Sequence, residues 1–286
     1  MEEKNQVSEG MRARLSAFSG DAGIAVWGTD NGFCLEYQPH RQMSTASAAK
    51  LFILGTVLEQ FEQKRLFPDT QLTVRREDIA GGSGILRHLT PGIRLSVRDL
   101  AVLMVILSDN TATNMLLDLL GGVEPVNRHL ERYGVREARL NRKISDDDAV
   151  VAKSSFGEAS AAGFADYLKK VLQGCVLGPD YRKSFQDILC RQQYKDMFPR
   201  KLPLEDFYDG PEADMIRLGN KTGFMTGIRS DVGFFQIPGK GEYVYAALTE
   251  GCSDKSYAAD NEASVLIADI GREAFKMICA EKRIRL

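Results

Sequence analysis

The stretch Met43–Phe61, "MSTASAAKLFILGTVLEQF", runs small polar residues into an apolar helical pattern and sets Lys50 where that pattern buries its side chain. Residues i and i+3 of a helix share a face, so a helix over 47–64 brings the Ser47 hydroxyl and the Lys50 amine together. Burial disfavours the ammonium form, and a neutral amine beside a serine can take its proton and make a nucleophile without histidine. Free N–H groups at the helix start add donors for a developing oxyanion. The plainer reading is an N-cap serine followed by a lysine that snorkels past apolar neighbours.

Outward from this segment, strand patterns lie towards both chain ends and helix patterns between them. "GIAVWGT" (23–29) and "FCLEYQP" (33–39) flank Asp30-Asn31-Gly32, a hairpin signal because Asn-Gly readily adopts positive φ. "MIRLGNKTG" (215–223), "SDVGFFQIP" (230–238) and "EYVYAALTE" (242–250) read as three more strands, the last two joined by the turn Gly239-Lys240-Gly241. Helices are expected over 47–64, 96–107, 111–120, 160–172 and 181–193, with a last one through "ASVLIADIGREAFKMI" (263–278). The capping box Ser96-x-x-Asp99 opens the second, and Gly121-Gly122 ends the third. These patterns predict an α/β (α+β) fold in which an antiparallel sheet built from both chain ends receives an inserted helical region. The boundaries expected are 1–44 with 206–286 for the sheet part and 45–205 for the helical part, with the site in the cleft between them.

Composition narrows the chemistry. In 286 residues, 44% hydrophobic and 27% charged with net charge −2, there is no basic footprint for nucleic acid or anionic lipid. The longest apolar run, Leu100–Leu107, is too short to span a bilayer. "MEEKNQVSEGMRARLSAFSG" carries no secretory signal pattern, which predicts a cytoplasmic protein, or a periplasmic or secreted one if a signal has been removed. Five scattered cysteines without a C-x-x-C pair argue against disulfides and zinc and read as buried free thiols. His40, His88 and His129 show no metal spacing and read as surface or capping residues, while Met104 and Met115 read as core. No cofactor or metal is expected, and the expected state is a monomer acting on a small molecule.

Two further motifs raise the Ser47-x-x-Lys50 pair above chance: Ser108-Asp109-Asn110 between two helices, and Lys221-Thr222-Gly223 at the end of a strand. S-x-x-K, S-D-N and K-T-G in this order are the motif set of class A β-lactamases and penicillin-binding proteins. The chain resembles that superfamily, the class A branch most closely, through "MSTASAAK", residues 89–122 and "GNKTG". The order of elements agrees from about Ala22 to Phe275. The resemblance implies a sheet of five antiparallel strands flanked by N- and C-terminal helices, and a serine hydrolase that opens β-lactams through an acyl-enzyme. By motif, Ser47 is the nucleophile, Lys50 its proton acceptor and Ser108 the relay to the leaving nitrogen. Asn110 meets the substrate's amide side chain, and Asp109 holds the loop. Lys221, Thr222 and Gly223 line the cleft, Arg229 joins Thr222 and Ser108 on the substrate carboxylate, and the N–H groups of Ser47 and Phe224 form the oxyanion hole. As a nearby cation, Lys221 also helps hold Lys50 neutral.

Departures from the family pattern matter as much. Class A enzymes carry a loop reading roughly R-x-x-R-x-E-x-x-x-N, whose glutamate activates the water that releases the acyl group. Here "RLNRKISDDD" (139–148) puts Ile144 at the glutamate position and Asp148 at the asparagine position. Asp146, Asp147 or Asp148 is a candidate substitute base, Asp148 first; the plainer reading is a solvated acidic loop. Slow deacylation is therefore expected. "AGGSGIL" (80–86) lacks the aromatic common on one cleft wall, and Phe224 and Met225 are bulkier than the residues usual after K-T-G. A penicillin-binding peptidase or esterase, or a covalent β-lactam binder without turnover, remain alternatives.

Overall fold

The computed structural model describes residues 5–145, 147, 154–203 and 216–281. Its strands, in chain order, are β1 (Asn5–Gln6), β2 (Asp21–Gly28), β3 (Cys34–Tyr37), β4 (Met43–Ser44), β5 (Gln71–Thr73), β6 (Arg94–Ser96), β7 (Ala138–Leu140), β8 (Gly157–Ala159), β9 (Arg217–Met225), β10 (Ile228–Ile237) and β11 (Gly241–Glu250). The α-helices are α1 (Glu9–Ala17), α2 (Lys50–Glu62), α3 (Val97–Ile106), α4 (Asn110–Leu120), α5 (Glu124–Arg132), α6 (Ala161–Leu172), α7 (Pro179–Cys190) and α8 (Glu262–Glu281).

The main sheet runs β1-β3-β2-β11-β10-β9. Its last five strands are antiparallel neighbours, as the alternation and turns predict. Gly32, at φ +76°, supplies the positive φ of the β2–β3 turn. A sixth strand was not expected: two residues of β1 pair in parallel with β3 at the edge. Both sheet faces are covered. Ile24, Val26, Phe235, Tyr245 and Ile267 belong to a core closed by α1 and α8, whereas Ala25, Val232, Val244 and Leu248 belong to a larger core shared with α2 and α6. The alternation along β2 and β10 is thus the period-2 sorting of one strand between two layers.

Helix α2 is buried nearly all round, which explains why its sequence shows an apolar block rather than a stripe. It does not start at Ser47. A 3₁₀ turn over Ala46–Ala49 precedes it, and in that geometry residues i and i+3 eclipse, so Ser47 and Lys50 still share a face. The capping box forms at α3, where Ser96 Oγ accepts from Asp99 N at 3.0 Å.

Several expectations need correction. Helix α5 was not among the expected helices, and it buries Val126, His129 and Leu130, at i, i+3 and i+4, on one face. His129 is a core residue rather than a surface or capping one: Nδ1 lies 2.9 Å from Glu59 Oε2 and Nε2 lies 3.0 Å from the Tyr167 hydroxyl. The cysteines are free, but only Cys252 is buried and Cys175 is exposed. No helix among the described residues is long and apolar enough to cross a membrane.

Candidate active site

Ser47 is the one residue between Met43 and Lys50 that is not buried. It opens onto a cleft of 580 Å³ shared with Ser83, Ser108, Asn110, Ile144 and Thr222. Backbone conformations uncommon for residues with side chains flank it: Ala46 at φ +43° just before the serine, and Ser108 at φ +54° across the cleft. Asp109 holds the Ser108 loop, accepting backbone N–H bonds from Ile85, Leu86 and Ala112 at 2.7 to 2.9 Å.

Two lysines converge beneath the cleft. Lys50 Nζ donates to Ser108 O at 2.7 Å, Ser108 Oγ at 3.1 Å and Asn110 Oδ1 at 2.7 Å. Lys221 Nζ donates to the same Ser108 Oγ at 3.1 Å and to Thr222 O at 2.7 Å. Both side chains are fully buried. Desolvation, then the charge of Lys221, hold the Lys50 pKa well below the ordinary lysine range, with Asp109 opposing them. Desolvation lowers Lys221 to about 7, against the pull of Asp231. No hydrogen bond joins Lys50 to the Ser47 hydroxyl; the ammonium is turned to Ser108 and Asn110. Its three acceptors match the three N–H groups of the charged form, so the neutral amine keeps two of these bonds and gives up the third. The two amines fill both lone pairs of the Ser108 hydroxyl and leave its O–H to donate elsewhere.

Gly223 explains how β9 comes against the Ser47 turn. A Cβ there would lie 2.7 Å from Thr45 O and 3.1 Å from Ala48 N, so any side chain would push the strand off the Ser47 turn. The close approach also brings Phe224 and Thr222 to the cleft wall.

Other expected residues sit differently. The Asn110 amide is engaged at both ends, with Nδ2 donating to Gly81 O at 2.7 Å. Arg229 does not bond Thr222 or Ser108: it is buried behind the cleft wall, Nη1 donating to Met225 O and Ile228 O at 2.8 Å. Two aromatic rings lie against its guanidinium. Asp146 and Asp148 lie outside the described residues. Asp147 N donates to Ser145 Oγ at 3.1 Å.

Ile144 faces the cleft, and Asn114 pins its backbone through Nδ2 to Ile144 O at 2.9 Å and Ile144 N to Oδ1 at 3.0 Å. Sequence reasoning missed Asn114, although it lies one helical turn after Asn110. It also missed the cleft residues Tyr194, Phe156 and Tyr257, which no local motif marks. Among the described residues no cluster of three or more His, Cys, Asp or Glu side chains could hold a metal.

Comparison with known proteins places this geometry. A beta-lactamase from Proteus vulgaris is 27% identical over 182 residues, covering 63% of this chain and 60% of that protein, so the match spans less than two thirds of the relative. The crystal structure of a beta-lactamase from Sphaerobacter thermophilus superposes with a TM-score of 0.83 at 27% identity, covering 96% of this chain and 98% of the other. A penicillin G acyl-enzyme of a PBP-A variant shares the fold at a TM-score of 0.80 and 23% identity, over 97% of this chain and 98% of that one. The family profile described as "Beta-lactamase enzyme family" matches residues 6–278, so with S-x-x-K, S-D-N and K-T-G gathered at one cleft, the chain belongs to the beta-lactamase enzyme family.

Proposed function

We propose that this protein is a β-lactam-directed serine hydrolase that works through a Ser47 acyl-enzyme and releases it slowly. The observation that carries the reading is the convergence of two buried lysines on Ser108 beside the accessible Ser47. In the forward step the Ser47 oxygen attacks the lactam carbonyl and its proton passes to neutral Lys50. The N–H groups of Ser47 and Phe224 receive the oxyanion. The lactam C–N bond breaks, and the nitrogen takes a proton from the Ser108 hydroxyl, which Lys50 restores. The step leaves a Ser47 ester and a ring-opened amine, with the proton returned.

Water must then cleave that ester, and Ile144, which stands at the glutamate position of the class A pattern in sequence, lines the cleft. A hydrocarbon cannot take a proton from water. That observation supports a second reading, a covalent β-lactam binder or slow peptidase- or esterase-type acyltransferase. Exposure to penicillin followed by intact mass and peptide mapping tests the acyl-enzyme: one adduct on Ser47 is expected. An adduct on another residue, or none with any β-lactam, overturns the proposal. A chromogenic β-lactam then separates the readings, since a burst followed by slow turnover marks the hydrolase and a burst alone marks the binder.

The lysine pair sets the pH dependence. Removing Lys221 removes a cation that disfavours charged Lys50, so the Lys50 pKa rises and less of it is neutral at pH 7. In Lys221→Ala the rising limb of the acylation rate against pH is therefore expected to move to higher pH, beyond any loss in plateau from a less oriented Ser108. A limb that stays in place while only the plateau falls would show that the two charges are not coupled.

A further inference from the structure

Arg229 is a buried cation with no acid paired to it among the described residues. Its side chain is 1% exposed, and among the described residues no carboxylate forms an ion pair with it. Three backbone carbonyls, of Met225, Ile228 and Ser256, take N–H groups from Nη1 and Nη2, whereas the Nε–H is buried with no partner. The Thr222 hydroxyl, two strand positions before Phe224 and on the cleft wall, is likewise buried with no hydrogen-bond partner. Arg229 pairs with Phe224 and Thr222 lies two residues before Phe224 on the same face of β9, so an unpaired guanidinium donor behind the wall and an unpaired hydroxyl on it are groups that a carboxylate would satisfy.

Two rings lie against the Arg229 guanidinium. The Arg229 guanidinium carbon lies 5.1 Å from the centroid of Phe224 and 5.0 Å from that of Tyr257, within cation–π range on both. Both rings line the cleft, and Arg229 does not. The rings are not held alike. Phe224 belongs to β9, its backbone opposite Arg229 in the sheet and its ring edge-on to Tyr194. Tyr257 stands on the connection between β11 and α8, is 66% exposed, and its hydroxyl makes only a 3.5 Å contact with Thr226 Oγ1. The backbone beneath it is tied down: Asn261 Nδ2 donates to Asp254 O and Ser256 O, and Glu262 N to Asp254 Oδ2. The loop is held by its own hydrogen bonds, whereas the ring it carries is exposed.

We propose that Tyr257 is a specificity-determining residue whose ring screens the Arg229–Thr222 corner. A carboxylate on the acyl donor gains that corner only by displacing the ring and forfeiting its cation–π contact. The site therefore binds donors lacking the carboxylate nearly as well as donors that carry it. This rests on the acyl-transfer reading only in placing the donor in this cleft.

The test is binding without chemistry. In a Ser47→Ala background, calorimetric titration compares penicillin G with its methyl ester. With Tyr257 present the two ligands are expected within about threefold of each other; in Tyr257→Ala the free acid is expected to gain about tenfold on the ester, a range set by one partly exposed cation–π contact. Tyr257→Phe, which keeps the ring, is expected to behave like the parent. Preference for the acid already above tenfold in the parent, no change in Tyr257→Ala, or no binding of either ligand overturns the proposal. Adduct formation in protein with Ser47 intact is read separately: an adduct with a flat ratio sinks the screen alone, and a shifted ratio without an adduct sinks acyl transfer alone.

Discussion

Lys50→Arg is expected to lower the rate of Ser47 acylation by about 10³-fold, within the range that a positioned general base supplies. The reason lies in what burial does to each cation. Lys50 sits fully buried at the start of α2, where desolvation and Lys221 both favour its neutral form. A guanidinium keeps its proton under the same pressure, so arginine preserves the positive charge and removes the base. It is also larger and planar in a cage built for three N–H bonds, to Ser108 O, Ser108 Oγ and Asn110 Oδ1. The measurement is the rate of penicillin adduct formation by intact mass, with thermal melting to confirm that the variant is folded. A folded Lys50→Arg protein that acylates at near the parent rate would assign the proton transfer to another group.

Ile144→Glu is expected to act in the opposite direction on the second half of the reaction. Asn114 clamps the Ile144 backbone by two hydrogen bonds and the side chain lines the cleft with Ser47 and Asn110, so a glutamate there would carry its carboxylate to the acyl group. Partial burial raises a carboxyl pKa and makes it a better base. Deacylation should rise by about 10² to 10⁴-fold, and the burst with a chromogenic β-lactam should shrink accordingly. Ile144→Gln, equal in shape but unable to take a proton, should leave the release rate unchanged. Fast turnover without a burst in the unaltered protein, or equal release from the Glu and Gln variants, would contradict the account. If Asp148 serves as the substitute base, Asp148→Asn slows release in the unaltered chain; if the rate holds, that role falls away.

Much of this was legible in short windows of sequence, because the physics involved is short-ranged. The Ser47–Lys50 spacing survives the change from an α to a 3₁₀ turn, since i and i+3 share a face in both. The Ser96–Asp99 box, the Asn31-Gly32 turn and the strand alternation each depend on neighbours a few residues away. Local signals fail where polar residues are buried by distant partners. Helix α5 looks too polar to bury, yet its His129 is sheltered between Glu59, 70 residues away in sequence, and Tyr167, 38 away. The same limit applies to Lys50, whose amine is turned by Ser108, 58 residues on, rather than by the adjacent Ser47.

What the sequence by itself determined is the set of chemical groups and their local carriers: Ser47 and Lys50 on one turn, Ser108 and Asn110 in one loop, and Lys221 and Thr222 on one strand. Through its resemblance to the class A loop, it also set Ile144 where that pattern carries a glutamate. Only the tertiary structure decided how those groups meet. It joined two lysines at one hydroxyl, since folding against Gly223 brings β9 within contact of the Ser47 turn. It set Arg229 behind Phe224 and Tyr257, because a buried cation with no acid beside it among the described residues takes carbonyls and aromatic faces from the segments that pack against it. Those partners come from β9, β10 and the connection before α8, and no spacing in the chain records that they converge.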